Sequence, residues 1–328
     1  MKIISYLGLL GGLVILGVLM AWSGISEVLD LLLVSGWKLL LLPIVWFPTL
    51  IFAAWSWRLL FDATQAPAFS RILAAIWMGR SINTLLPVAT IGGEIAKARL
   101  ITIWGCRGTV ASSTVIVDKT VQALALIPWG IVGVLMLLAY TSDHQLLLPA
   151  IAGFSLLGFG IAGFIFVQRS GMFGSIANIL TRFSHAEKWP NISDHAREID
   201  QQILDIYNNR QKFLSSVAVR SLSLALETTE IWLGCYLLGQ NISLVDAIML
   251  KSLVSSLNNI AFVVPNAYGI QEGGFIVFGT LLGFTPEFTL ALSLATRLRE
   301  LMIDLPGLLY WQVFESRRLI KRRAANAS

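Results

Sequence analysis

Charge is what this sequence has least of. Of its 328 residues 13% are charged and 56% are hydrophobic, against about 25% charged in an ordinary soluble domain. A chain so short of charge cannot cover a folded surface in water, which argues against a soluble enzyme. Cysteine is scarce too. Cys106 and Cys235 fit no metal or redox spacing and leave no room for a disulfide framework. The three histidines, His144, His185 and His195, lie in polar stretches and do not cluster with other ligand types, so no metal or other cofactor is expected. The net charge is +5, but the basic residues flank apolar runs and form no continuous patch, which argues against nucleic acid as a partner.

What the chain has in plenty is apolar length. A bilayer crossing takes about 20 apolar residues. Met1 to Trp22 holds one lysine and then an apolar run too long for the core of a cleavable signal, and Ala21-Trp22-Ser23 is a poor cleavage site, so the stretch reads as a retained first helix. Clear spans fall at 3–22, 38–60, 112–139, 146–168, 214–238 and 287–313. Two further apolar regions, 72–104 and 246–284, are interrupted in the middle by proline, glycine and a carboxylate.

Loop charges set an orientation. Arg317, Arg318, Lys321, Arg322 and Arg323 crowd the tail, Arg58 and Arg71 flank the loop after the second span, and the stretch 169–213 is rich in arginine and lysine. The loops holding Glu27 and Asp30, and those at 140–146 and 239–245, have no basic residue. Six crossings return the chain to its starting side, so charge bias and parity agree only if both interrupted regions dip in and come back. The expected fold is an all-α integral membrane protein of about six transmembrane helices plus two re-entrant helical hairpins in an inverted pseudo-repeat. It forms one polytopic domain with half-repeats at about 1–140 and 141–313 and a basic tail at 314–328, and both termini are cytoplasmic. Ile199, Ile203, Ile206 and Phe213 recur near helical spacing among charges, so 193–213 reads as a cytoplasmic amphipathic helix.

The interrupted regions share a pattern. In the first, Asn83 precedes Pro87, and Gly92-Gly93-Glu94 follows; in the second, Asn258-Asn259 precedes Pro265, and Gly269 and Glu272-Gly273-Gly274 follow. The glutamate comes seven residues after the proline in both. Proline removes a backbone donor and glycine permits sharp turns and close approach. Broken backbone survives in hydrocarbon only when buried in protein or lining a wet cavity. Two such breaks, one in each half, mark an inverted-repeat transporter; the plainer alternative is two unrelated kinked helices.

Charges also lie inside the spans: Asp118 and Lys119, then Arg220, Glu227 and Glu230, then Arg297, Arg299, Glu300 and Asp304. Each costs at least ~2.5–3.5 kcal/mol at mid-membrane, so each must pair or face a polar cavity. Structural ion pairs, Asp118 with Lys119 among them, account for some. Glu94, Glu227, Glu272 and Arg297 suit a cavity, and arginine suits an anionic headgroup. The G-x-G-x-x-G match at Gly158-Phe-Gly160-Ile-Ala-Gly163 sits in an apolar span with no preceding strand, so it reads as helix packing and not as a nucleotide loop.

At these residues the sequence resembles a known family. Asn83-Thr-Leu-Leu-Pro87 followed by Gly92-Gly93-Glu94 and Lys97-Ala-Arg99, together with Val264-Pro265, Gly269, Glu272, Gly273, Gly274 and Arg297, is similar to the transmembrane region of lysylphosphatidylglycerol synthase, the flippase-like domain of MprF. Val117-Asp118-Lys119-Thr120-Val-Gln122 looks most like the hopanoid-associated HpnL subgroup. The resemblance implies a bacterial inner-membrane protein that moves a lipid with a polar head, hopanoid being the favoured substrate. MprF proteins add a soluble aminoacyl-transferase domain, and the chain ends soon after its last span, so aminoacyl-lipid synthesis is not expected. Asn266-Ala-Tyr268 departs from the glycine-rich form of the motif, which leaves the shape of the substrate open.

The expected substrate-binding residues are Asn83, Pro87, Gly92, Gly93, Glu94, Arg99, Glu227, Asn259, Pro265, Gly269, Glu272, Arg297 and Glu300, with none catalytic. The partners expected are a membrane lipid and, optionally, further copies of the chain. Two rivals remain: an intramembrane lipid-modifying transferase, and a scaffold for lipid-synthesis enzymes.

Overall fold

Helix starts and stops follow the glycines and prolines. The computed structural model describes residues 14, 17–19, 25–86, 91–140, 158–159, 161–172, 192–260 and 264–327, and all regular structure among them is helical. The helices are α1 (Ile25–Ser35), joined by a 3-10 turn (Gly36–Leu40) to α2 (Leu41–Arg58), then α3 (Phe69–Leu85), α4 (Gly92–Ile103), α5 (Gly108–Tyr140), α6 (Ile192–Asn208), α7 (Arg210–Leu226), α8 (Thr228–Leu237), α9 (Leu244–Ile260), α10 (Ile270–Leu281) and α11 (Pro286–Ala327). Residues 161–169 are also helical.

Two stretches are long and apolar enough to cross a bilayer, Ser26–Arg58 at mean hydropathy 2.0 and Gly108–Ala139 at 2.2. They cover nearly all of the second expected span and the whole of the third. Of the other four, most of 3–22 and most of 146–168 lie outside the described residues. The stretch 214–238 is helical across α7 and α8, because Glu227 between them keeps helical backbone angles (φ −64°, ψ −19°). Its polar side chains and those of α11, which carries Arg297, Arg299, Glu300 and Asp304 in one stretch, keep both from being plain apolar spans.

Buried charges and exposed large apolar side chains are both more numerous than in a water-soluble protein. Asp118, Glu230, Glu272, Asp304 and Arg299 are buried, while Leu33, Val34, Trp37, Ile44, Leu135 and Tyr310 face outward. Charged residues are almost never fully buried in soluble proteins unless paired. An outer surface of leucine, valine and tryptophan is stable where the solvent is lipid.

The chain divides into two compact units. The first comprises residues 1–47, 74–96 and 227–328. Its core joins Val28 of α1, Ile231 and Cys235 of α8, Leu250 and Val254 of α9, Phe275 of α10, and Leu290 to Leu292 of α11. Here the second interrupted region packs α10 against α9, and the first brings the start of α4 against α3. In the first, Gly93 of α4 lies so close to α3 that an added Cβ would run into the Gly79 carbonyl oxygen and sit 2.6 Å from Asn83 Cγ. In the second, Gly274 of α10 packs on Leu257 and Val254 of α9. Glycine is needed at these positions because of the close approach of a neighbouring helix.

The second unit comprises residues 48–73 and 97–226. Serines bind its helices: Ser56 and Ser216 each donate to the other's carbonyl, at 2.9 and 2.8 Å, and Ser223 donates to Thr49 O at 2.9 Å. Small hydroxyl residues allow such close packing and add interhelical hydrogen bonds in an apolar medium. Asp118 is held by Lys97 at 2.9 Å and Arg220 at 2.8 Å, and Lys119 reaches Gln122. The cations that hold Asp118 thus come from distant segments, whereas the sequence suggested its neighbour.

The two packing environments make a matched test. Gly93→Ala should cost about 1–3 kcal/mol by overpacking and lower the thermal unfolding midpoint in detergent. Gly273→Ala, where nothing lies within 4 Å of the added carbon, should be neutral or gain up to about 1 kcal/mol of helix propensity.

Candidate functional site

The charged residues of α11 organise the first unit. Arg297, Glu300 and Asp304 are three and four residues apart, the spacing that stacks side chains on one helix face. That face meets the second hairpin at its break. Here a 3-10 turn, Pro265–Ala267, replaces regular helix, and Asn266 and Ala267 both adopt positive φ, 52° and 48°. For residues with a Cβ this is a strained conformation, of order 1–3 kcal/mol each, so the surroundings must impose it.

Arg297 imposes it. Its Nη1 donates to Asn266 O at 3.0 Å and its Nη2 to Ala267 O at 3.4 Å. Its Nε donates to Glu272 Oε1 at 2.8 Å, and Nη1 also reaches Glu300 Oε2 at 3.1 Å. The guanidinium lies over the Tyr268 ring, 4.7 Å from its centre. Glu272 serves both sides of the turn, because its second oxygen accepts the Gly269 N–H at 2.7 Å. Gly269, at φ 78°, supplies the left-handed residue that starts α10. One arginine and one glutamate thus tie the strained turn, the N-terminus of α10 and α11 together.

Around this clamp lies a wider network. Arg299 donates to both oxygens of Glu230 at 2.6 and 3.1 Å. Lys251 of α9 bridges Glu227 at 2.9 Å and Glu230 at 3.8 Å. Arg80 of α3 pairs with Asp304 at 3.1 Å and lies 3.8 Å from Glu300. The Trp46 ring takes both Arg80 and Arg299, 4.4 and 4.5 Å from its centre. Four cations (Arg80, Lys251, Arg297, Arg299) face five carboxylates (Glu227, Glu230, Glu272, Glu300, Asp304), so the cluster is near neutral, as a low-dielectric interior requires.

Asp304 stands apart within this network. Its Oδ1 accepts from Arg80 and, at 3.4 Å, from Ser81. Its Oδ2 is buried and has no hydrogen-bond partner among the described residues. An unmade buried acceptor costs ~1–3 kcal/mol or more when charged, so this atom is suited to a donor brought by a ligand. Arg80, at 27% side-chain exposure, is the most accessible cation of the cluster.

The sequence-expected residues are distributed as follows. Gly269, Glu272, Arg297 and Glu300 meet at the second break, which Pro265 opens. Glu227 joins the adjoining Lys251–Glu230 pair. At the first break Asn83 Oδ1 accepts the Gly93 N–H at 2.7 Å, while Gly92 opens α4, Glu94 is half-buried in its first turn and Arg99 is exposed further along. Pro87 lies outside the described residues. Asn259 is exposed and bonds back to Ser255 O; it is Asn258 that spans the second break, donating to Gln271 at 2.9 Å. In both hairpins an asparagine before the break therefore holds a residue after it. Arg80, Lys251 and Trp46 were not singled out from sequence. A lone basic residue inside an apolar run, as in α3 and α9, was the signal available for the first two.

Among known proteins, residues 9–307 match the family model described as lysylphosphatidylglycerol synthase TM region. No curated protein and no solved structure matches the chain.

Arg299 and Glu230 are 3% and 0% exposed. Removing one partner strands the other's charge, so Arg299→Met should destabilise by about 3–5 kcal/mol. Adding Glu230→Gln in that background should recover part of the loss, read as a rise in the unfolding midpoint over Arg299→Met alone. Simple additivity would show that the two are not coupled.

Proposed function

The chain belongs to the lysylphosphatidylglycerol synthase transmembrane-region family, and from that membership we propose that this membrane protein moves a polar-headed lipid between leaflets, with a hydroxyl-bearing hopanoid as the favoured substrate. The observation that supports this reading is the open acceptor of Asp304 beside Arg80, the most exposed cation of the charge network. A hydroxyl or amine of the headgroup donates to Asp304, an anionic group is met by Arg80, and the apolar body stays in the surrounding lipid. Arg297 is committed to Glu272, Glu300 and two backbone carbonyls, so it positions the strained turn and does not bind the head directly.

In this reading the two hairpins enter the bilayer from opposite faces and return, six helices cross it, and both termini are cytoplasmic in a bacterial inner membrane. A turn held in a costly conformation by one ion-paired arginine has two low-lying arrangements, clamped and released. The clamped arrangement holds Glu300 against Arg297 and near Arg80. Release of the clamp opens the headgroup position to the other leaflet.

Liposomes containing the purified protein and a polyhydroxylated hopanoid, with leaflet-selective labelling of the headgroup, give the test. The wild-type protein should speed the change of leaflet. Asp304→Asn and Arg80→Gln should each slow it about tenfold or more, equivalent to ~1.4 kcal/mol of barrier, at a temperature where the unfolding midpoint shows both variants still folded. Normal rates in both variants would overturn the site, and a wild-type protein that moves neither hopanoid nor phospholipid would overturn the function.

A further inference from the structure

The second unit holds a cavity that this reading does not use. It has a volume of about 180 Å³ and is lined by Ile165, Arg169, Tyr207, Arg210, Phe213 and Leu214. It sits where α6 turns into α7 and beside the end of helical residues 161–169. Four of the linings are aliphatic or aromatic and two are arginines. Pockets for whole drug-sized ligands run to roughly 300–1,000 Å³, so this one admits only part of a larger molecule.

Its polar floor is closed and neutral. The Tyr207 hydroxyl, buried, bonds Gln168 and lies 3.3 Å from Thr120. Burial pushes the Tyr207 phenol above its ordinary value, so it stays uncharged. The Arg169 guanidinium lies over the Tyr207 ring, 5.3 Å from its centre, which fixes its head at the cavity rim.

Among the described residues neither Arg169 nor Arg210 has a carboxylate at ion-pair distance. Of the acids on these helices, Glu198 pairs with Arg107, Asp62 with Lys212 and Asp205 with Gln201, while Asp200 is buried against Gly171 with a partner of its own. The stretch 173–191, outside the described residues, carries Arg182 and Lys188 against a single Glu187, so it is a poor source of negative charge. Leu214 in the lining is exposed at 62%, an apolar surface suited to lipid.

We propose that this cavity binds an anionic phospholipid of the surrounding bilayer, its phosphate between Arg169 and Arg210 and the start of one chain against Phe213 and Leu214. Basic pockets at the ends of transmembrane helices select acidic headgroups, each basic residue adding about 1 kcal/mol near an anionic surface. The site rests on the membrane reading above, and not on the charge cluster of the first unit. Its function is to seat the α6–α7 corner on the acidic leaflet, which arginine- and lysine-rich loops favour on the cytoplasmic side.

The test uses the full chain purified in neutral detergent and titrated with short-chain phosphatidylglycerol, phosphatidylcholine or inorganic phosphate. Binding is read as lipid adducts in native mass spectrometry and as a shift in unfolding midpoint. The wild-type protein should prefer phosphatidylglycerol, and Arg169→Gln with Arg210→Gln should weaken it about thirtyfold, the factor for two basic residues at ~1 kcal/mol each. Both arginines are exposed, so their loss should leave the fold intact. The control double variant Arg317→Gln with Arg318→Gln should bind as wild type. Equal binding of phosphatidylcholine would reduce the site to an apolar slot, and an equal effect of inorganic phosphate would make it a free-anion site. Unchanged binding in Arg169→Gln with Arg210→Gln would place the lipid elsewhere. Each of these three results overturns the proposal, and none bears on the leaflet assay, which reads Asp304 and Arg80.

Discussion

A buried guanidinium must find an acceptor for its donors, and the first unit is arranged around how Arg297 meets that requirement. Two of its four hydrogen bonds go to carboxylates and two to backbone carbonyls. The carbonyls belong to residues at positive φ, a conformation that asparagine tolerates but alanine rarely adopts. Without the arginine the turn loses its restraint, and Glu272 becomes a buried carboxylate that keeps only the Gly269 N–H. The break in the helix and the ion pair therefore depend on each other. This is a stronger reason for a charge inside an apolar bundle than stability alone, because hydrophobic replacement of a buried pair is often neutral or stabilising.

The second unit obeys the same rule with different residues. Asp118 accepts from Lys97, Arg220 and Gln122, and Lys97 also lies over the Trp57 ring. Asp118 in this unit and Glu230 in the first are each compensated by cations from two different helices. In an apolar solvent that pairing takes over part of the task water-driven burial performs in a soluble protein. The outer surfaces, rich in leucine and tryptophan, need no such pairing. A charge network thus holds helices in register, while the lipid-facing side stays chemically uniform.

Much of this was legible in the sequence. Apolar length and scarce charge imply a membrane protein, and the Asn–Pro–Glu order located both breaks. Glu227 and Glu230, three residues apart, do share a partner, Lys251. Other features were not legible. The choice between Asn258 and Asn259 depends on which side of α9 faces α10, and neighbouring residues on a helix point about 100° apart. Lys119 stood next to Asp118 in sequence, but consecutive helical residues diverge, and the aspartate turned inward to Lys97 and Arg220.

By itself the sequence determined the medium this protein occupies, the positions where its helices break, and which side chains would have to be paired. Those follow from composition and local backbone chemistry, which do not depend on distant residues. The tertiary structure alone decided the pairings. Arg80 reaches Asp304 across 224 positions of chain, Trp46 sits beneath two arginines, and Arg297 bonds the carbonyls of its own turn. Each depends on which helix face meets which, a property of packing that no short stretch of sequence encodes.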